Sequence, residues 1–244
     1  MPRISLLSCM YAGVLELLYP RRCPVCSEIV MPKGNLICPG CMEKLSVVRR
    51  PVCKCCGKEI VSPEAEYCCD CTRHSRSFDS GMALINYDDT ASRSMAQVKY
   101  HGRREYLDFY AEAIFRRFAP AIRRISPDCI IPVPVHKSRL RKRGFNQAEE
   151  LARRLSERTG IPVRNEFLKR TRKTLPQKAL DPSARLKNLE QAFECAPLPD
   201  GIRIVLLTDD IYTTGSTAEA CARALKNAGV QRVVPVFICI GSER

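Results

Sequence analysis

The sequence lacks two features that would narrow its function at once, a membrane-spanning segment and a catalytic triad. None of its 244 residues belongs to an uncharged apolar run of about eighteen or more, so no transmembrane helix is expected. Only three histidines occur, none beside an evident acid–base partner, and no nucleophile triad is visible. With 45% apolar and 27% charged residues, the chain is not disordered, collagen-like or fibrous. Its length predicts one or two globular domains.

Aromatic residues are also scarce, at 7% with no tryptophan, whereas basic residues are in excess and give a net charge of +14. Residues 93–173 hold 21 basic and 8 acidic side chains, a difference of +13. Such an excess favours a polyanion or a phosphorylated small molecule, with a merely solvated cationic surface as the alternative. The few aromatics near this stretch argue against a dedicated stacking groove for single-stranded DNA.

The first twenty residues are mostly apolar between positions 4 and 18 but do not read as a secretion signal. Glu16 interrupts the apolar run, and Tyr19 and Pro20 stand where small cleavage-site residues would be needed. Residues 1–20 are therefore predicted to form a short helix that docks on the body, and the protein is expected to be cytoplasmic. A signal or a membrane-surface helix is the alternative.

Cysteine is abundant, and eleven of the fifteen cysteines lie within residues 1–71. Eight of them form two sets, and every spacing of the first set recurs in the second: Cys23, Cys26, Cys38 and Cys41, then Cys53, Cys56, Cys68 and Cys71. Two thiolates separated by two residues can enclose one metal ion, and two such pairs complete a tetrahedral Cys₄ site that suits Zn²⁺. Residues 21–78 are therefore predicted to form a double zinc ribbon. Both zinc sites are structural, because a closed Cys₄ shell leaves no position for water.

Several points of this assignment remain open at the level of sequence. Disulfides or an iron–sulfur cluster could use the same cysteines, although disulfides are disfavoured without a secretion signal. Cys55, Cys69 or His74 could replace a neighbouring ligand. The cysteine pairs could also combine in tandem or in a crossed arrangement.

Residues 79–244 change to alternating strand and helix patterns. Apolar strands are predicted over 128–134, 202–207 and 233–240, and helices over 105–124, 146–158 and 218–228. Asn146 and Gly160 stand where the cap residues of the helix over 146–158 belong. Apolar strands that alternate with helices predict an α/β domain whose parallel sheet is covered on both faces.

The junction between the strand over 202–207 and the following helix carries the most chemistry. Asp209 and Asp210 stand at the carboxyl end of the strand, where open α/β sheets bind ligands. A loop of small and hydroxyl residues then leads into the helix: Thr213, Thr214, Gly215, Ser216 and Thr217. Backbone N–H groups, hydroxyls and the helix dipole make such a loop an anion cradle. Two carboxylates beside it match the vicinal hydroxyls of a ribose, so the pattern indicates a ribose 5-phosphate. It is not a Walker A loop, because no lysine follows Gly215.

Residues 205–217 closely resemble the phosphoribosyl pyrophosphate motif of type I phosphoribosyltransferases. Together with the cysteine-rich region and the segments 99–103, 132–136, 143–147 and 177–188, they make nearly the whole chain resemble the ComF family of competence proteins. This resemblance implies a type I phosphoribosyltransferase fold and an association with natural transformation and DNA uptake. It does not supply an acceptor substrate.

The resemblance also implies roles for individual residues. Asp209 and Asp210 would hold the ribose hydroxyls, residues 213–217 the 5′-phosphate, and Mg²⁺ would accompany the phosphoribosyl pyrophosphate. A pyrophosphate loop would follow the strand over 128–134, and a mobile loop over 170–188 would close on the reaction. These loops would contribute Val135, His136, Lys137 and Arg185. Lys99 and Arg103 either belong to this site or lie on a solvated helix face.

Three functions follow as hypotheses. The first is a phosphoribosyltransferase of unknown acceptor, in which Asp209, Asp210, Lys137 and Arg185 serve catalysis. The second is a non-catalytic module that binds single-stranded DNA or a competence helicase through the basic stretch. The third is salvage of a nucleobase, for which one sequence identifies no base pocket.

Overall fold

The computed structural model describes residues 19–171 and 192–242. The predicted docking helix, apart from Tyr19 and Pro20, therefore lies outside the described residues. Thirteen helices and strands follow one another in the described chain. They are α1 (Pro39–Met42), α2 (Cys69–Arg73), β1 (Met82–Asn86), α3 (Asp89–His101), α4 (Tyr106–Ile125), β2 (Cys129–Pro132), α5 (Lys137–Arg143), α6 (Gln147–Thr159), β3 (Leu168–Arg170), β4 (Phe193–Cys195), β5 (Ile204–Tyr212), α7 (Ser216–Asn227) and β6 (Arg232–Ile240).

A four-stranded parallel sheet in the order β1–β6–β5–β2 forms the centre of the fold. Val205, Leu206 and Leu207 of β5 have no exposed surface, as expected for a parallel strand covered on both faces. Helices α3, α4 and α6 pack on one face of the sheet. Helix α7, the antiparallel β3–β4 pair and the second ribbon pack on the other. The first ribbon is the segment that carries Cys23 to Cys41, and the second ribbon is the segment from Cys53 to Phe78. The predicted α/β class, with a parallel sheet and a cysteine-rich amino-terminal region, is confirmed.

Local signals place α6 where the sequence predicts it. The Asn146 side chain accepts a hydrogen bond from the Ala148 N–H at the amino end of α6, and Gly160 ends the helix with φ 75°. Asn146 also donates to the Val133 carbonyl at 3.0 Å. The cap residue of α6 therefore attaches this end of the helix to the carboxyl end of β2.

Both edges of the sheet are covered by short segments of the same chain. The link between the two ribbons pairs with β1, where the Val48 N–H donates to Leu84 at 3.0 Å and the Asn86 N–H donates to Ser46 at 2.7 Å. On the opposite edge, the Ile130 N–H donates to Pro162 at 2.8 Å. Covered edges leave few unpaired backbone groups for another chain to join.

Strand β5 runs further than the predicted range of 202–207 and ends at Tyr212. Its pairing with β6 continues to Tyr212 opposite Ile240, whereas its pairing with β2 stops at Thr208 opposite Pro132. The prediction was too short because it ended the strand at the last apolar residue. Beyond Thr208, no strand among the described residues pairs with the β2 side of β5, and this gap forms a crevice at the carboxyl end of the sheet.

Across residues 19–171 and 192–242, no helix combines the length and the apolar character needed to cross a bilayer.

Candidate functional site

The eight repeated cysteines form two separate clusters, each drawn from consecutive pairs. The thiol sulfurs of each cluster lie within 4.8 Å of one another, and the clusters are Cys23, Cys26, Cys38, Cys41 and Cys53, Cys56, Cys68, Cys71. The pairing is therefore tandem, which the spacing alone left open. Cys55 lies against Cys71 but outside the cluster of four, and His74 is exposed after α2.

The geometry of the clusters fits zinc. The Cys56 and Cys68 sulfurs are 3.7 Å apart. A tetrahedral site with Zn–S bonds of about 2.3 Å has sulfur–sulfur edges of about 3.8 Å. In the absence of a metal ion the crowded thiols favour a thiolate at Cys71, whose pKa is lowered by hydrogen bonds from Cys53, Cys55 and Cys56, whereas the pKa values of Cys56 and Cys68 are raised. The four cysteines of each cluster would hold one ion as a structural centre.

The internal duplication extends to the backbone. The bridge between Arg22 and Ile29 in the first ribbon recurs between Val52 and Glu59, at the equivalent positions of the second. The ribbons differ in burial, however. In the second cluster three of the four cysteines are buried, whereas in the first only Cys23 and Cys41 are. The second cluster belongs to the main core beneath the sheet, and the first forms a small cluster of its own.

A cavity of about 480 Å³ opens at the crevice beside β5. Its wall comes from the carboxyl ends of β2 and β5, the end of α3, the start of α6 and the basic helix α5. The lining includes Lys99, Tyr100, Val135, Arg139, Lys142, Arg143, Gln147, Arg170, Asp209, Asp210 and Thr217. Carboxylates thus lie at the base of a cavity with a basic rim.

Asp209 and Asp210 are both buried, with 8% and 4% of their surface exposed. Asp210 forms an ion pair with Lys99 and accepts a hydrogen bond from the Gln147 amide at 3.2 Å. The Asp209 side chain accepts the Asp210 backbone N–H at 2.8 Å. Lys99 therefore faces the cavity rather than solvent, which resolves one of the alternatives left by the sequence.

The two carboxyl groups differ in their electrostatics. Burial and the adjacent charge of Asp210 raise the pKa of Asp209 well above its ordinary value. Burial also acts on Asp210, but the Lys99 ammonium outweighs it and keeps the pKa of Asp210 below its ordinary value. The pair therefore favours a single negative charge, located on Asp210 and balanced by Lys99.

A chain of polar contacts joins the basic rim to the acidic pair. The Arg143 guanidinium donates to Gln147 Oε1 at 2.6 Å, and the Gln147 amide in turn reaches Asp210. Arg143 also lies 5.6 Å from the centre of the Tyr100 ring, which is 71% exposed. Arg170 lines the same cavity, and burial together with the nearby Arg139 lowers its pKa. This rim suits a ligand with several negative charges.

The hydroxyl-rich loop lies directly beside the acidic pair. Thr217 and Asp209 line both the large cavity and a concavity of about 30 Å³ that is enclosed by residues 211–218. Gly215 has φ 78°, and a Cβ atom there would lie 2.3 Å from the Tyr212 hydroxyl. Only glycine therefore fits between the loop and Tyr212. The concavity lies at the amino end of α7, where N–H groups favour an anion.

Comparisons with known proteins agree with this architecture. A family model described as a double zinc ribbon domain matches residues 14–72. Competence protein F of Haemophilus influenzae is 30% identical over 217 residues, which cover 87% of this chain and 93% of the relative. The chain belongs to the ComF family. Two further relatives are Competence protein ComFC of Bacillus subtilis, 27% identical with 84% of each chain covered, and DNA utilization protein YhgH of Escherichia coli K12, 28% identical with 89% of each covered.

In this ComF chain, the predicted pyrophosphate segment is divided between the cavity and its exterior. Val135 lines the cavity. The His136 ring instead caps α5 by accepting the Ser138 N–H at 3.2 Å, and Lys137 is the exposed first residue of that helix. Of the described residues of α5, it is Arg139, Lys142 and Arg143 that line the cavity. Arg185 lies outside the described residues.

Two residues that line the cavity were predicted only as parts of longer segments. Gln147 contacts Asp210 directly, although in the sequence it stood out only as part of a family segment. Arg170, the last residue of β3, also lines the cavity. A polar residue at the first position of a capped helix was the available signal for Gln147. Arg170 was predicted only as the first residue of the mobile loop over 170–188, most of which lies outside the described residues.

Proposed function

We propose that this ComF-family chain binds Mg²⁺–phosphoribosyl pyrophosphate in the 480 Å³ cavity and transfers its phosphoribosyl group to an acceptor. One observation carries the proposal: a buried acidic pair and an anion-binding loop open into the same cavity, with Asp209 and Thr217 lining both parts. The names of its relatives support a role in competence or DNA use. The acceptor is not identified by the described residues.

Each part of the ligand has a matching part of the site. The N–H groups at the start of α7 and the loop hydroxyls suit the 5′-phosphate. The buried Tyr212 hydroxyl, which has no hydrogen-bond partner among the described residues, lies beside this loop. The carboxylates of Asp209 and Asp210 can accept hydrogen bonds from the two ribose hydroxyls. Arg139 and Arg143 suit the pyrophosphate.

The chain's own groups act in the proposed reaction by positioning and by charge neutralisation. Transfer at the anomeric carbon proceeds through an oxocarbenium-like state, in which pyrophosphate departs with negative charge. Arg139, Arg143 and Arg170 would neutralise that charge, and the acidic pair would hold the ribose in place. Asp209 and Asp210 are the carboxylates that would lie beside a Mg²⁺ ion bound with the ligand, and that ion would supply further charge neutralisation.

Calorimetric titration with phosphoribosyl pyrophosphate, with and without Mg²⁺, tests the proposal. The wild-type chain is expected to bind in the presence of Mg²⁺, and Asp209→Asn/Asp210→Asn is expected to lose binding while retaining its zinc. Asp200→Asn is the matched control, because Asp200 is an exposed carboxylate outside the cavity. Binding that survives in the double variant would refute the ribose assignment. Pyrophosphate release that requires a free nucleobase would point to salvage.

The second candidate function is binding of single-stranded DNA by the basic helix α5. Five of its seven residues are cationic and none is buried. The exposed Tyr100 ring beside Arg143 offers a surface on which a base can stack. Phosphate contacts would make the binding strongly dependent on salt.

The DNA candidate is tested by the salt dependence of oligonucleotide binding. Neutralising Arg139, Arg141 and Arg143 with glutamine should reduce the slope of log affinity against log salt by about two, since each phosphate contact to a single strand adds about 0.7. Arg123→Gln/Arg124→Gln on α4 is a control for net charge. A slope unchanged by the α5 substitutions would remove this helix from the interface.

A further inference from the structure

The second ribbon makes direct contacts with the hydroxyl-rich loop, although the two lie far apart in the sequence. The Arg76 guanidinium donates through Nη2 to the Thr214 carbonyl at 3.0 Å. Arg76 follows shortly after the cluster ligand Cys71 in the chain. It therefore connects the end of the second ribbon with the backbone of the loop.

The Arg76 guanidinium lies among groups that favour its positive charge. Burial opposes this charge, yet the pKa of Arg76 is raised, because Tyr212, the cluster ligand Cys71 and Glu219 all lie nearby. Only four residues separate Arg76 from Cys71 in the chain, and its guanidinium binds the loop carbonyl. A shift of the second cluster would therefore change the position of the group that fixes Thr214.

The residue after Arg76 fixes the amino end of helix α7. The Ser77 N–H and hydroxyl donate to the two carboxylate oxygens of Glu219, at 2.7 and 2.6 Å. Glu219 is 5% exposed and lies in the first turn of α7, immediately after the loop. Two consecutive ribbon residues therefore bind both the loop and the helix start that would face a phosphate.

The first ribbon has a different neighbour. Arg21 pairs with Asp108 at 2.7 Å, and the Tyr106 hydroxyl donates to Ser27 at 3.2 Å, so this ribbon is bound to the start of α4. Among the described contacts, none joins the first cluster to residues 213–219. The two copies of the cysteine pattern thus offer an internal comparison within one chain.

We propose that the second cysteine cluster positions the phosphate loop, residues 213–217, through Arg76. Loss of metal from this cluster, but not from the first, would therefore weaken binding of a sugar phosphate. Arg76 is a positioning residue in this scheme and does not contact the ligand. The part that concerns affinity rests on the proposed function. The part that concerns loop order rests only on the contacts of Arg76, Ser77 and Glu219.

The test compares substitutions at equivalent positions of the two ribbons. Cys71→Ser alters the second cluster, and Cys41→Ser alters the equivalent ligand of the first. Arg76→Lys keeps both clusters and the charge but shortens the group that reaches Thr214, with Arg73→Lys on exposed α2 as its control. The full chain is used throughout, with zinc content, hydrogen exchange of residues 213–219 and ribose 5-phosphate affinity as readouts.

We expect Cys71→Ser and Arg76→Lys to speed exchange in 213–219 and to weaken ribose 5-phosphate binding about tenfold, the scale of one hydrogen bond to a charged group. Arg76→Lys should do so with both zinc ions retained. Cys41→Ser should lose one zinc ion without faster exchange in the loop, and Arg73→Lys should match the wild type. Exchange across α3 serves as an internal reference for general loosening.

The proposal is overturned if Arg76→Lys leaves loop exchange unchanged, even where Cys71→Ser does not fold. It is also overturned if Cys41→Ser and Cys71→Ser loosen the loop equally. Failure of the wild-type chain to bind ribose 5-phosphate would instead count against the proposed function, because the exchange comparison would still decide the coupling.

Discussion

Neutralising the two adjacent carboxylates should change stability in opposite directions. Asp210→Asn removes the direct ion-pair partner of the Lys99 ammonium, which is 18% exposed, and leaves Asp209 as the neighbouring carboxyl group. Removing one partner of a buried ion pair costs about 3–5 kcal/mol. Because Lys99 retains some solvent contact, we expect about 3 kcal/mol, or a fall in Tm of about 6–12 °C for a chain of this size.

Asp209→Asn should instead stabilise the protein near neutral pH. The pKa of Asp209 is raised on folding, so its contribution to stability is complete below the unfolded pKa of about 4 and is lost as pH rises through the folded value. Asparagine cannot ionise, and its carbonyl oxygen can still accept the Asp210 N–H. The gain should therefore be present at pH 8 and shrink as pH falls.

The contribution of Asp210 to stability depends on pH in the opposite direction. Its pKa is lowered on folding, so its stabilisation is present above the unfolded pKa and is lost as pH falls through the folded value. The loss of stability in Asp210→Asn, relative to wild type, should thus be the same from pH 8 to pH 5.5. Thermal melts would be compared with wild type at each pH, because protonation of the zinc-ligand thiols weakens all variants alike.

A double-mutant cycle with Lys99→Met isolates the ion pair. In Lys99→Met/Asp210→Asn both charges of this ion pair are removed together, so the double variant should recover about 2 kcal/mol relative to the sum of the single changes. Equal destabilisation by Asp209→Asn and Asp210→Asn, or a coupling near zero, would refute the charge assignment of the pair. Both single variants should lose ribose 5-phosphate binding, so Asp209→Asn would gain stability while losing function.

Three other predictions follow from the ribbons and from α6. Elemental analysis should find about two zinc ions per chain, and recovery of an iron chromophore, or of intramolecular disulfides without metal, would contradict the ribbon assignment. Gly57→Ser should lower the free energy of unfolding by about 2 kcal/mol or more, because a Cβ atom there would lie 2.5 Å from the Gly81 carbonyl oxygen. Ser27→Gly, at the equivalent position, should change it by less than about 1 kcal/mol, and equal effects in denaturant titrations would contradict this reasoning. Asn146→Ala should cost about 1–2 kcal/mol through loss of the α6 cap and of the Val133 contact, with Asn165→Ala as an exposed control.

The sequence predicted the regular elements well where local signals were strong. The predicted helix over 105–124 is observed as Tyr106–Ile125, and that over 146–158 as Gln147–Thr159 between its predicted caps. The end of β5 was missed because strand length there depends on pairing with β6 rather than on apolar residues. Local patterns record propensity and capping, but they do not record register between distant strands.

The candidate site likewise contains residues that a local sequence pattern predicts and residues that only the fold brings together. Asp209, Asp210 and the loop that follows form one short continuous segment, so the sequence alone was enough to predict that they lie together, and their sugar-phosphate chemistry stays a prediction. Lys99, Gln147 and Arg170 come from three other segments, and only the fold brings them to the cavity. Tandem and crossed pairing of the cysteines were equivalent by spacing, and packing of the chain decided between them.

The two ribbons also show how a repeated motif can acquire different constraints. Ser27 has φ 62° and Gly57 has φ 79° at equivalent positions, so the turn after the second cysteine accepts a side chain in at least one copy. The conformation of the turn alone therefore does not explain why position 57 is glycine. The backbone of Gly81 approaches it too closely for any Cβ atom, and the Gly81 N–H donates to Cys55 at 2.6 Å. This close approach lies where the chain passes from the second ribbon into β1, five residues after Arg76. The second ribbon is thus constrained by the α/β domain in a way that the first is not.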